Sequence, residues 1–239
     1  MSNPTAAMIV IGDEILSGRT RDSNMNHLAG QLTSVGIDLK EVRMIGDESA
    51  TIIAAVQALS KIYDSVFTSG GIGPTHDDIT ADCIAAAFNK NIDVRDDARA
   101  ILATHYAKSG TELNEARLRM ARIPDDATLI ENPVSAAPGF KLENVHVMAG
   151  VPSVFEAMVA SVLPTLTGGA PLISSTVRID RGEGDIAGPL GQVAKDHPAL
   201  LIGSYPFQKD GKYGANIVIR GVDPVEINKA VQKLEAAFP

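Results

Sequence analysis

Apolar residues run without a break from Ala6 to Ile11 and stop at Gly12, which predicts a strand buried on both faces. After a polar loop, Met25, Leu28, Leu32 and Val35 recur at helical spacing behind Asp22 and Ser23. Either of those two can cap the helix, and Gly36 stops it. A second strand over residues 39–44 leads to Gly46 and Asp47. Ile52, Ile53, Val56, Leu59 and Ile62 then mark one face of another helix. A third strand, residues 65–68, runs into a glycine-rich turn. Strand, helix, strand, helix, strand at this rhythm predicts parallel βαβ units.

Beyond the turn, residues 81–88, 96–107 and 112–121 read as helices, 145–148 as a strand and 154–163 as a helix ended by Pro164. Thr167-Gly168-Gly169-Ala170-Pro171 reads as a linker. Residues 172–239 read strand, helix, strand, strand, helix, with the last hairpin turning at Lys209-Asp210-Gly211-Lys212. The expected architecture is an α/β domain over residues 1–168, doubly wound on a mostly parallel sheet. A small α+β domain over residues 169–239 follows, with helices on one face of an antiparallel sheet.

Composition narrows the function. Of the 239 residues 45% are apolar and only 4% aromatic, with no Trp, which suits a sheet of branched aliphatics covered by helices. A net charge of −8 argues against nucleic acid as partner, because phosphate backbones are held by clustered Lys and Arg. No apolar run approaches the roughly 20 residues that span a bilayer. No basic segment followed by a signal-type apolar run opens the sequence. The single cysteine, Cys83, cannot form an internal disulfide and is expected to pack as a small hydrophobe. Cytoplasm is the expected compartment.

In open α/β sheets ligands sit outside the carboxyl ends of the strands. Three loops fall there together, residues 12–21, 45–48 and 69–80, and each contains aspartate. The densest stretch is Thr68-Ser69-Gly70-Gly71-Ile72-Gly73-Pro74-Thr75-His76-Asp77-Asp78-Ile79-Thr80. Its glycines allow positive φ and close approach, and successive N–H groups in such a turn make an anion nest. Asp78 or Thr80 can also cap a helix beginning there. The stretch has no Lys or Arg, so it is not a Walker-type loop. Anion binding must then draw on backbone donors, a metal, or basic groups from elsewhere, of which Arg19 and Arg21 are nearest. Asp77 and Asp78 would repel each other and any phosphate without a cation; Mg²⁺ or a similar hard ion takes carboxylate and phosphate oxygens together. Asp47 and the pair Asp13/Glu14 can complete the shell or serve as general base. As a tight turn before a helix the stretch would need no ligand, but acidic loops at two other strand ends tip the balance towards a site.

Other signals are weaker. His76 is an exposed loop histidine, and His27, His105, His146 and His197 lack metal spacing and read as structural. Nothing supports covalent catalysis, so Ser17 and Ser69 read as phosphate donors rather than nucleophiles. The loop Asn132-Pro133-Val134-Ser135-Ala136-Ala137-Pro138-Gly139 suits a flat ligand or a neighbouring subunit. Gly150-Val151-Pro152-Ser153 opens a helix with Ser153 as candidate N-cap. Glu115, Arg117, Arg119 and Arg122 are expected on a solvated helix face.

Together, Gly12-Asp13-Glu14-Ile15-Leu16-Ser17-Gly18, Asp22-Ser23-Asn24, Gly46-Asp47 and residues 69–80 resemble the molybdopterin-binding (MoCF) domain superfamily. The closer likeness is to the amino-terminal region of competence/damage-inducible protein A. Residues 114–124, 132–140, Gly150-Val151-Pro152 and 172–239 are similar to that branch too. The resemblance implies a doubly wound core that self-associates as a homo-oligomer and takes a small phosphorylated nucleotide or a pterin such as molybdopterin. It also implies cleavage of nucleotide pyrophosphates, of the ADP-ribose or flavin adenine dinucleotide type, dependent on a divalent metal ion (Mg, Mn, Co or Ni). Asp78 falls on the catalytic aspartate of the adenylyltransferase branch, and Asp47 on a second functional aspartate. Ligand contacts are expected from Gly12, Glu14, Ser17, Gly18 and Asn24, and from Ser69, Gly70, Gly71, Gly73, Pro74, Thr75 and Thr80. Asp77 and Asp78 are expected on the metal. Asp77 stands where the adenylyltransferase branch usually has arginine, and an extra carboxylate suits a metal better than a second anion. A pterin-binding carrier without turnover and molybdopterin adenylylation stay open beside hydrolysis.

Overall fold

The unbroken apolar run becomes β1 (Thr5–Ile11), the strand on which the first domain is assembled. A computed structural model describes residues 3–209 and 211–238, in two compact units that divide after Gly169. In the first unit, α1 (Asp13–Leu16), α2 (Asn24–Ser34), β2 (Asp38–Ile45), α3 (Ser49–Leu59), β3 (Ser65–Ser69) and α4 (Thr80–Ala87) follow β1. Next come β4 (Ile92–Val94), α5 (Asp96–Ser109), α6 (Glu115–Leu118), β5 (Arg122–Pro124) and β6 (Thr128–Ile130). β7 (Gly139–Leu142), β8 (Val145–Met148) and α7 (Pro152–Val162) complete it.

The main sheet runs β2-β1-β3-β8-β7-β6, and the contacts β1–β2, β1–β3 and β3–β8 are parallel. β7 and β6 extend it antiparallel, so the sheet is mostly parallel, as expected. Alternation along β1 explains the double winding. Ala7, Ile9 and Ile11 join Ile52, Val56 and Leu59 of α3 and Ile84 of α4 in one buried cluster. Ala6, Met8 and Val10 join Leu28 and Leu32 of α2 and Phe155 and Met158 of α7 in the other. Both faces are closed by helices, which is why the strand needs no polar side.

The chain leaves β1 for β2 on one side and returns to β3 on the other. This reversal places the switch point of the sheet between β1 and β3.

Several local expectations are corrected. Residues 112–121 are not one helix: α6 ends at Leu118, a 3-10 turn covers Arg119–Ala121, and β5 follows at once. Pairing of Arg122–Pro124 with β4 draws the chain out of the helix. Ile62 is exposed, because α3 ends at Leu59. Of the two expected caps of α2, Asp22 serves, its Oδ2 accepting from the Met25 N–H at 3.1 Å. Neither Asp78 nor Thr80 caps α4, whose N-cap position is Ile79. Ser153 lies inside α7, behind Pro152 at the first turn.

The second unit comprises β9 (Ile173–Ile179), α8 (Glu183–Asp196), β10 (Leu201–Lys209), β11 (Lys212–Gly221) and α9 (Pro224–Ala237). Its antiparallel sheet has the order β10-β11-β9. Ile186 and Val193 of α8 and Ile227, Ala230 and Leu234 of α9 pack with Ile217 and Ile219 of β11. The β10–β11 hairpin forms where expected; Asp210 in its turn lies outside the described residues.

Candidate functional site

The carboxyl ends of β1, β3 and β8 and the loop after β2 open onto one cleft of about 550 Å³. Gly12 and Glu14 reach it from the loop after β1, and Asp47 from the loop after β2. Gly70, Gly71, Gly73, Pro74, Thr75, Asp77 and Asp78 come from the loop after β3. Gly150 and Pro152 follow β8, and Asn132, Ser135 and Ala137 come from the loop before β7.

Glycine is required at the base of the cleft. Gly70 has φ +109° and Gly71 φ +68°, and a Cβ on them would strike the Ile11 carbonyl and the Thr80 hydroxyl respectively. The turn spends few of its donors internally. The Gly70 N–H donates to the Met148 carbonyl at 3.1 Å, locking β3 to β8. Among the described residues, the N–H groups of Gly71, Ile72 and Gly73 make no hydrogen bond within the chain. Three successive amides at a strand end form an anion nest.

Asp78 turns back on its own loop. Its Oδ2 accepts from the Thr75 N–H at 2.8 Å and the Thr75 hydroxyl at 2.6 Å. Thr75 is therefore engaged within the chain, which weakens it as a direct phosphate donor. Asp77 is 65% exposed and still belongs to the lining of the cleft. His76 is 99% exposed, as a solvated loop residue should be.

Asp47 and Asp13 are clasped: Asp47 Oδ2 accepts from the Asp13 N–H at 3.0 Å, and Asp13 Oδ1 from the Asp47 N–H at 3.4 Å. Burial raises the Asp47 pKa most; the Asp13 N–H opposes this, and the carboxylates of Asp13, Glu14 and Asp77 push it further up. Glu14, Asp47, Asp77 and Asp78 all line the cleft, whose described lining contains no Lys, Arg or His.

Not every expected residue lies there. Ser17 and Gly18 are exposed and outside the lining, and Arg19 is outside it too. Asn24 and Ser69 sit in a smaller side pocket with Arg21, where Asn24 Nδ2 donates to Ser69 Oγ and to the Gly150 carbonyl, both at 2.7 Å. They tie the ends of three loops together. Thr80 is buried behind Gly71, its hydroxyl without a hydrogen-bond partner among the described residues.

Thr20 and Met120 line the cleft without any motif that announces them. The loop before β7 is shaped by buried Asn132, whose amide donates to Ser135 Oγ and the Ala137 carbonyl and accepts from the Val134 and Ser135 N–H groups. Of the expected solvated face, Glu115 is exposed, whereas Arg117, Arg119 and Arg122 are half-buried and have partners. Arg117 stacks on Tyr106, Arg119 donates to the Asp78 carbonyl, and Arg122 grips Asp82 with two bonds of 2.7 and 2.6 Å.

A divalent cation fits the donor set in kind: hard carboxylate oxygens, among them those of Asp47, whose charged form is disfavoured by burial first and by neighbouring carboxylates second. It does not fit an all-protein cage, because no group of three or more His, Cys, Asp or Glu among the described residues is arranged to hold a metal ion. Mg²⁺ does not require such a cage, since one or two carboxylates suffice where substrate phosphates and water supply the rest of the shell. No helix among the described residues is long and apolar enough to cross a membrane.

Residues 7–168 match the family model described as a probable molybdopterin binding domain, and residues 171–239 the one described as FAD synthase, middle domain. A protein of Archaeoglobus fulgidus is 34% identical over 228 residues, covering 95% of each chain. The probable FAD synthase of Caenorhabditis elegans is 34% identical over 240 residues, covering 90% of this chain and 46% of that protein. The chain thus spans about half the length of that relative. Among solved structures, CinA of Thermoplasma acidophilum, a protein with unknown function, superposes with a TM-score of 0.62 at 33% identity. The match covers 68% of this chain and 97% of that one. The chain therefore belongs to the molybdopterin-binding (MoCF) domain family and is related to CinA, and its residues 171–239 are similar to the middle domain of FAD synthase.

Proposed function

We propose that the cleft binds a nucleotide diphosphate ester, of the ADP-ribose or flavin adenine dinucleotide type, together with a divalent cation, and hydrolyses the diphosphate. One observation carries this: Gly71, Ile72 and Gly73, whose N–H groups are unspent, line the cleft together with four carboxylates and no cationic side chain. Amides attract phosphate and carboxylates repel it, so both can serve one ligand only when a cation lies between them. The family relationship to nucleotide-related proteins agrees with this choice of ligand.

The roles follow from position. The amides of Gly71, Ile72 and Gly73 orient the phosphates, while the small surfaces of Ala137, Ala149 and Gly150 accept a flat ring. Asp77 and Asp78 would hold the cation, and Asp78 also fixes the loop through Thr75. A bound divalent ion would neutralise phosphate charge and polarise the phosphorus. Asp47, with its raised pKa, is suited to take a proton from water as that water's oxygen attacks phosphorus. The P–O–P bridge breaks, its electrons leave on the departing phosphate, and two monophosphates result.

Incubating the protein with ADP-ribose and flavin adenine dinucleotide, with Mg²⁺, Mn²⁺, Co²⁺ or Ni²⁺, should yield the paired monophosphates. If all stay intact, hydrolysis is excluded. A pterin carrier without turnover is the second reading, drawn from the family match, and calorimetry with molybdopterin showing tight binding without product would favour it.

A further inference from the structure

The loop after β3 is fastened to the body of the domain at both ends by apolar side chains, Ile72 and Ile79, which pack on the core. Between them, Thr75 and Asp78 bond mainly to each other: Thr75 N–H and hydroxyl to Asp78 Oδ2, and Asp78 N–H to the Thr75 carbonyl at 3.3 Å. Such a ring is stiff inside and unanchored outside. Among the described residues one side-chain hydrogen bond joins residues 73–78 to the rest of the chain: Arg119 Nη2 donates to the Asp78 carbonyl at 3.2 Å.

Arg119 is well placed to bear on the cleft. It stands in the 3-10 turn after α6, beside Met120, which lines the cleft itself. The Arg119 Nε is buried with no partner among the described residues, so this end of the side chain lies away from solvent. It borders a cavity of about 20 Å³ that shares Ile72, Gly73, Asp78 and Met120 with the cleft and has room for one water. Arg122, three residues on, is fixed by its two bonds to Asp82 of α4 and makes a firm base for the turn.

We infer that Arg119 is the positioning residue of this site: by holding the Asp78 carbonyl it sets the height of the loop, and so the separation of Asp77 from Asp47. Arg119 touches neither substrate nor cation in this scheme. The inference rests on the proposed hydrolysis only for its kinetic consequence; the tether itself is independent of it.

The experiment compares wild type, Arg119→Ala and Arg119→Lys by hydrogen exchange and by steady-state hydrolysis of ADP-ribose at varied Mn²⁺. Arg119→Ala should speed exchange of the Asp78 and neighbouring loop amides on the order of tenfold while β1 and β3 amides keep wild-type rates. It should lower kcat roughly 10- to 100-fold, because small misplacements at a reacting centre are costly, and raise the Mn²⁺ concentration for half-maximal rate. Arg119→Lys, which keeps a charged donor, should recover part of both effects. Unchanged loop exchange in Arg119→Ala overturns the tether. Faster exchange with unchanged kcat and Mn²⁺ dependence overturns the positioning role. If the wild type itself hydrolyses nothing, the proposed function fails and the exchange result alone decides the tether. Should Arg119→Ala not fold, Arg119→Met, which keeps the length of the side chain and removes its donors, carries the same comparison.

Discussion

Asp47 shows at the scale of one residue how a site differs from a surface. Its carboxylate lies half-buried among those of Asp13, Glu14 and Asp77, an arrangement that costs stability unless something positive joins it. A carboxyl whose pKa is raised by folding is favoured by protons: its penalty is absent below the unfolded value and grows as pH rises through the folded one. Asp47→Asn should therefore leave the metal-free protein at neutral pH as stable or more stable, by about 0.5 kcal/mol, in urea titration. The same variant should lose turnover by about 100-fold or more. Melting with Mn²⁺ should shift wild type upward and shift Asp47→Asn less. His146 presents the opposite sign. Burial in β8, stacked on Phe67 with ring centroids 4.8 Å apart, lowers its pKa from 6.5 to about 4. Folded protein binds fewer protons there than unfolded protein, so stability falls as pH drops from 6.5 towards 4. The loss at the acid end is about 2–3 kcal/mol. His146→Phe should flatten that acid limb in denaturation profiles taken between pH 7 and 4.

At the scale of elements, the loop after β3 is where backbone conformation and chemistry coincide. Gly71→Ala would place a Cβ at positive φ against the Thr80 hydroxyl, and it should cost about 1–3 kcal/mol and abolish ligand binding together. Chemical denaturation and calorimetry on the same preparation check both. The sequence pattern revealed the elements with long apolar runs: β1, whose both faces are buried, and α2 and α3, whose periodicity is plain. Strands of three residues, such as β4, β5 and β6, carry no period to detect, and the sequence around β5 looks helical until tertiary pairing claims it. That the glycine-rich loop and the acidic loops meet at one cleft was legible in the sequence, because the sheet brings strand ends together. The arginines at 119 and 122 were not, since their partners Asp78 and Asp82 lie about 40 residues away and no local spacing records such a pairing.

For the whole molecule, the two units divide the work unevenly. Every residue lining the cleft lies between Ile11 and Val154, inside the first unit. A chain of residues 1–169 should thus keep metal-dependent hydrolysis within about threefold of the full chain, compared by kcat/KM on ADP-ribose. The second unit has a core of its own, built from Ile217, Ile219 and the inward faces of α8 and α9, and needs no side chain from the cleft to form it.

The most direct measurement is equilibrium binding of a non-hydrolysable, methylene-bridged ADP-ribose, by calorimetry with and without Mn²⁺. An amide nest ringed by carboxylates predicts binding with the cation and at least tenfold weaker binding in a chelator, with Asp77→Asn narrowing that difference. Equal affinity in both conditions would contradict the bridging role of the cation.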